Sequence, residues 1–267
     1  MFKAKKYSTA IILILLTVLM VFTGCSNKST LAQIKEKGKL IIGTSAGYPP
    51  YEFHEEINGK DEIVGFDISI AEEIAKDLGV ELEIKDMKFE GLLSALNSGK
   101  VDIVIAAMTP TEERKKSVDF SKVYYTAVQG VIVRAEDKEK YNTLDDLKGK
   151  VIGVQKGTIQ EQMAREQIEN PQIKALNKIP DIILQLQNGK VDAVLVEKVV
   201  GEAYANKNEE LAVSNITLQA ENDGTAIAIK KGSPKLVGAI NKTLDRLMKN
   251  NDIEKFFIEA VKLAEDN

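Results

Sequence analysis

One pattern occurs twice in this chain. Residues 92–106 read LLSALNSGKVDIVIA and residues 182–196 read IILQLQNGKVDAVLV. Upstream of each copy lies a shorter echo, GKLIIGTSAG at 38–47 and GKVIGVQKGT at 149–158. Each half therefore predicts a strand running into a glycine-rich loop, followed later by a helix, a Gly-Lys-Val-Asp turn and a second apolar strand. Ile103–Ala107 and Ala193–Val196 are continuous apolar runs, the pattern of parallel strands buried on both faces. The fold class this dictates is α/β, with two lobes built alike. Ligands of parallel α/β sheets bind beyond the carboxyl ends of the strands. Two such lobes would face each other across a cleft, so a small-molecule binding protein is the first expectation.

The 267 residues suffice for two lobes of ordinary size, and a composition 44% hydrophobic and 28% charged supports a packed core. The first residues are set apart. Lys3, Lys5 and Lys6 form a basic patch ahead of an apolar run from Ala10 to Phe22, which is short for a membrane span. The run ends at Phe22-Thr23-Gly24-Cys25, and Cys25 is the single cysteine of the chain. This is similar to a lipoprotein signal, in which the thiol of Cys25 is acylated and becomes the first mature residue; the other reading is an ordinary signal peptide with a free thiol. Residues 1–24 are thus expected to be a signal peptide and 25–30 a polar tether. Without Lys3, Lys5 and Lys6, 33 of the 36 basic residues remain against 40 acidic ones, a formal charge of −7. That balance does not favour nucleic acid as a partner. One cysteine permits no internal disulfide, and one histidine, His54, makes no metal cluster, so no cofactor is expected.

Within the body, Asp67 is expected to cap a helix whose positions Ile68, Ala71, Ile74, Ala75 and Leu78 share a face, with Gly79 stopping it. Val80–Ile84 alternates as a strand. Ser233-Pro234 opens a helix, Asn250-Asn251 breaks it, and a last helix carries Ile253, Phe256, Phe257 and Val261. Four loops follow the repeated strands: 45–51, 107–114, 155–161 and from Glu197 onward. Thr111 reads as the cap of a helix that carries Arg114 in its first turn, where a cation is disfavoured and calls for an anion. A ligand carboxylate would supply one; so would Glu112, Glu113 or Asp119 on a solvated face. Thr158 and Glu161 fit a capping box, and the helix start there suits an anion, although an ordinary capped helix reads the same way. Glu197 at a strand end would hold an ammonium group or simply face solvent. Tyr48, Tyr51 and Phe89 would sandwich a ligand side chain or belong to the core.

A resemblance runs through the same residues. LIIGTSAGYPPYEF (40–53), VGFDISIAEEIAKDLG (64–79), FEGLLSALNSGKVDIVIAAMTPTEERKK (89–116), VDFSKVYY (118–125) and VQKGTIQE (154–161) resemble the extracellular solute-binding proteins of polar amino-acid ABC importers. Within that family, GTSA, the VQKGTIQE loop and the Val196-Glu197 strand end are most similar to arginine-binding lipoproteins of Gram-positive bacteria. The resemblance implies a periplasmic-binding-protein-like fold of type II, with residues 31–128 and 221–267 as lobe 1 and 129–220 as lobe 2. Hinge strands would cross near 127–130 and 221–224. It further implies that Arg114 binds the ligand carboxylate with backbone N–H groups of Thr109, Thr158 and Ile159. The carbonyl of Ala107, the hydroxyl of Thr109 and the carboxylate of Glu197 would hold the ammonium group, and Tyr48 and Phe89 would flank the side chain. Ser45, Met108 and Gln155 adjoin these positions. Many family members carry an acid where Ser45 stands, and Glu52 is the expected substitute for it.

The implied partners are an amino-acid ligand, permease and ATPase subunits and the membrane through the lipid, on the extracytoplasmic face, with the chain a monomer. The rival of another class is an enzyme on the same fold, such as a small dehydratase, with Glu197 as its acid or base. Glutamine or cystine are the alternatives to arginine, and a detached sensor is the alternative to transport.

Overall fold

The computed structural model describes residues 28–218, 220 and 224–266. Residues 1–24 and Cys25 lie outside them. The first described helix is α1 (Thr30–Lys37), whose N-cap Ser29 accepts from the Ala32 N–H, so the last residues of the expected tether cap and enter a helix. There follow β1 (Lys39–Thr44), the hairpin β2 (Phe53–Ile57) and β3 (Lys60–Val64), α2 (Phe66–Leu78), β4 (Glu81–Asp86), α3 (Leu92–Asn97) and β5 (Ile103–Val104). Next come α4 (Glu112–Ser117), β6 (Val118–Phe120), β7 (Tyr125–Thr126) and β8 (Gln129–Arg134). The second half holds β9 (Val151–Gln155), α5 (Ile159–Gln167), β10 (Gln172–Leu176), α6 (Ile179–Gln187), β11 (Ala193–Glu197), α7 (Lys198–Asn206) and β12 (Leu211–Val213). Short β13 (Gly224–Thr225) and β14 (Ala228–Lys230) lead to the final helices α8 (Pro234–Lys249) and α9 (Asp252–Asp266).

Two five-stranded sheets result, in the orders β4-β1-β5-β14-β6 and β10-β9-β11-β8-β12. In each, three parallel strands continue into an antiparallel pair. The sequence repeat maps onto this match. The aspartate of each Gly-Lys-Val-Asp turn ties its lobe's first strand: Asp102 accepts from the Ile41 N–H at 2.7 Å and Asp192 from the Val151 N–H at 2.8 Å. Gly99 and Gly189, at φ 74° and 65°, end α3 and α6 in the left-handed conformation that glycine tolerates. The repeat thus preserves the corner where helix, turn and strand meet. Both sheets are covered on both faces, by α2, α8 and α9 or by α3 in the first and by α6 and α7 or by α5 in the second.

The chain leaves the first sheet through β7 and returns through β13, and these two strands pair antiparallel, Thr126 with Gly224 and Tyr125 with Thr225. The pair lies just upstream of the stretch 127–130; residues 221–223 are outside those described. Three local expectations are corrected. Asp67 caps nothing: the cap is Gly65, two residues earlier, α2 starts at Phe66, and the carboxylate is fully buried. The strand expected over Ile103–Ala107 ends at Val104, because Ala107 turns into a positive φ of 46°. Ser233 stands at the N-cap of α8, but its hydroxyl makes its bond to Thr30 Oγ1 at 2.8 Å.

Candidate ligand-binding cleft

The loops that follow β1, β5 and β9 converge between the lobes. A cavity there is lined by Tyr48, Glu52, Phe89, Ala106, Ala107, Thr109 and Arg114 from one side and by Gln155, Thr158, Ile159 and Gln160 from the other. The sides touch. Arg114 donates to the carbonyl of Thr109 at 2.8 Å and, across the cleft, to that of Gly157 at 3.0 Å. Gln155 Nε2 donates to Ser45 Oγ at 3.2 Å, and the Glu197 N–H donates to the Tyr48 hydroxyl at 3.2 Å. Lys178 pairs with Asp86 at 2.5 Å and donates to the Ala46 carbonyl, while Lys156 pairs with Glu90 at 2.8 Å. The lobes are closed on each other.

Arg114 is the central cation. Thr111 caps α4 by accepting from the Arg114 N–H, which sets the side chain at the cavity wall. The acids considered as its surface partners are taken: Glu112 by Lys115, Glu113 by Lys116 and Asp119 by Lys231. Among the described residues no carboxylate pairs with it. Burial, unopposed by an anion, draws its pKa down to about 10, so it remains charged at neutral pH. Its guanidinium lies 5.3 Å from the centre of the Phe89 ring, within cation–π range. The Phe89 face expected for a ligand is therefore shared with the protein's own arginine.

Two acids are buried at the cleft. Glu52 is 1% exposed and leaves Oε2 without a hydrogen bond. Its pKa is pushed well up, first by burial and then by Asp67 and Glu197, against the pull of Lys178. Glu197 is buried at the end of β11 and raises the pKa values of Tyr48 and Tyr51, in which burial is the larger cause.

The remaining expected residues divide. Tyr48 lines the cavity, but Tyr51 is fully buried and packs on Phe66 and Tyr125. Ser45 and Glu197 stand behind the lining rather than in it. Met108 does not reach the cavity: its side chain lies in the core with Leu92 and Val104, and its carbonyl accepts from the Ala226 N–H at 2.9 Å. Thr158 caps α5, yet the capping box is shifted, since Glu161 Oε2 takes the N–H of Gly157 at 2.9 Å rather than that of Thr158. Two lining residues were not foreseen. Ala106 carries no chemical signal, whereas Gln160 follows directly on Thr158-Ile159 and donates to Gln129 Oε1 at 2.7 Å.

Two lobes of matched strand order, joined by a pair of short strands and closed around a polar cavity, define a two-lobed binding protein of the type II periplasmic arrangement. The chain belongs to the bacterial extracellular solute-binding proteins, family 3, which it matches over residues 40–259. It is 40% identical over 248 residues to the arginine-binding extracellular protein ArtP of Bacillus subtilis, covering 92% of this chain and 94% of that protein. It is 32% identical over 230 residues to the L-cystine-binding protein TcyJ of Escherichia coli, covering 86% and 85%. Among solved structures, the amino acid ABC transporter substrate-binding protein AbpA of Streptococcus pneumoniae, bound to L-arginine, superposes with a TM-score of 0.86 at 37% identity, covering 88% of this chain and 99% of that one.

Proposed function

We propose that this protein is the capture component of an ABC amino-acid importer, held to the outer face of the membrane by a lipid on Cys25, and that its ligand is L-arginine. The observation that carries the reading is Arg114, a half-buried, charged guanidinium in the cleft with no carboxylate paired to it among the described residues. A ligand carboxylate supplies that anion. The buried acids Glu52 and Glu197 suit a ligand with a cationic side chain and ammonium group, and the relatives named for arginine support this choice. A ligand touching both lobes binds the closed form better than the open one, and closure follows from that difference. The same groups bind without reacting: Arg114 only anchors, and transport rather than turnover is the role of the relatives.

Calorimetry with arginine, lysine, histidine, glutamine and cystine tests the reading, using protein stripped of carried-over ligand. Arginine is expected to bind tightest, and Arg114→Ala to cost about 2–5 kcal/mol by removal of a charge-assisted contact. Preference for glutamine or cystine refutes arginine but keeps the receptor. Failure of every amino acid to bind, or turnover of one detected by mass spectrometry, refutes the receptor.

A further inference from the structure

Asp67 is a buried carboxylate next to the cleft that does not line the cavity. It sits in the first turn of α2, 0% exposed. Oδ2 accepts from the backbone N–H of Ala107 at 2.8 Å, and Oδ1 accepts from the hydroxyl of Tyr124 at 2.8 Å. These partners lie at two functionally different places. Ala107 lines the cavity and holds a left-handed φ of 46° that an alanine seldom adopts. Tyr124 directly precedes β7, the strand by which the chain leaves the first sheet, and its own N–H donates to the Thr225 carbonyl in β13.

We infer that Asp67 is a positioning residue that locks the cavity floor to the strand pair joining the lobes. The inference rests on the cleft being the binding site. A strained backbone conformation persists where its surroundings over-determine it, and the Asp67 bond fixes the plane of the Ala106–Ala107 peptide, both of whose residues line the cavity. The second oxygen binds the inter-lobe connection to the same rigid helix start. Truncating the side chain leaves a buried N–H and a buried hydroxyl unsatisfied together.

The two bonds call for an ionised carboxylate, since both partners donate to it. Burial opposes ionisation and lifts the pKa of Asp67 to about 7, against the two donated hydrogen bonds. The titratable groups around it are Tyr124 and, across the 48–52 turn, Glu52, which in turn feels Glu197 and Lys178. As pH falls through neutrality, one Asp67 oxygen acquires a proton and Tyr124 must reverse its hydroxyl.

The experiment compares the wild type with Asp67→Ala, Asp67→Asn and Glu52→Gln, each verified as folded. Nuclear magnetic resonance follows the Ala107 amide of ligand-free protein from pH 5.5 to 8.5, and calorimetry measures arginine affinity over the same range. The wild-type amide is expected to titrate near pH 7. Asp67→Asn, whose amide can accept from Ala107 and donate to Tyr124, should keep its fold and abolish that titration. Glu52→Gln should shift it without abolishing it, and Asp67→Ala should weaken arginine at least tenfold. A titration that survives in Asp67→Asn, or an Asp67→Ala protein within twofold of wild-type affinity, overturns the assignment. If Asp67→Ala does not fold, the Asp67→Asn titration decides. If the wild type binds no amino acid, the receptor reading fails, while the Ala107 amide still tests Asp67.

Discussion

At the scale of single residues, the cleft carries a guanidinium, Arg114, and a buried acid, Glu52, in one lining, with Glu197 buried close by. The pKa shift of Glu52 turns this into a pH dependence with a definite sign. Its folded pKa is raised, so the ligand-free protein binds more protons than the unfolded chain at pH values above the ordinary carboxylate range. Stability contributed by the protonated acid is complete below that range and is lost as pH rises from it through the raised folded pKa, and Asp67 adds the same trend up to about pH 7. A cationic side chain against Glu52 favours the ionised form and expels the proton. Arginine affinity should therefore rise with pH, by at most about tenfold per unit for one proton released, while glutamine affinity stays nearly level. Calorimetry in buffers of different ionisation enthalpy reads the proton directly. Glu52→Gln is expected to flatten the arginine profile and weaken arginine more than glutamine; equal weakening of both would remove Glu52 from the side-chain subsite.

Between elements, the loops of one lobe meet those of the other through charged side chains. Lys178 precedes α6 in the second lobe, yet its ammonium reaches Asp86 at the end of β4 and the Ala46 carbonyl after β1. Asp86 in turn accepts from the Ala46 N–H at 2.9 Å. This group lies outside the cavity lining and forms only when the lobes meet. Lys178→Ala is thus expected to weaken every ligand by a similar two- to fivefold, about 0.5–1 kcal/mol as for a partly exposed pair, and to reduce the salt dependence of binding. Loss confined to one ligand would instead place Lys178 in the specificity subsite. The repeat, the two lobes and the loops carrying Arg114, Thr109 and Thr158 were all legible in the sequence, because local periodicity and turn chemistry encode them. Asp67 misled for the same reason: a carboxylate at a helix start reads as a cap, and only the fold reveals that Ala107 and Tyr124, 40 and 57 residues away, claim its oxygens. Contacts such as Tyr48 to Glu197 join the two copies of the repeat and leave no periodic trace in either.

For the whole molecule, the first described helix begins close in sequence to the proposed anchor. Ser29 caps α1, and Thr30 is hydrogen-bonded to Ser233 at the start of α8, so the chain emerges from a firmly held corner of the first lobe. Only four steps along the chain separate Cys25 from Ser29, a reach of at most about 14 Å even when fully extended. A lipid on Cys25 would therefore keep this corner near the membrane surface and let the cleft open and close without the body straying far from its permease. A single acyl chain binds a bilayer only marginally, so stable retention requires more than one chain on Cys25. In a Gram-positive host grown with labelled palmitate, the full-length protein is expected to carry label and to sediment with membranes. Cys25→Ala should lose the label and appear in the medium with its arginine affinity unchanged, since Cys25 is not among the residues that line the cleft. Label that persists in Cys25→Ala, or a wild-type protein released without label, would make residues 1–24 an ordinary export signal and the receptor a free one.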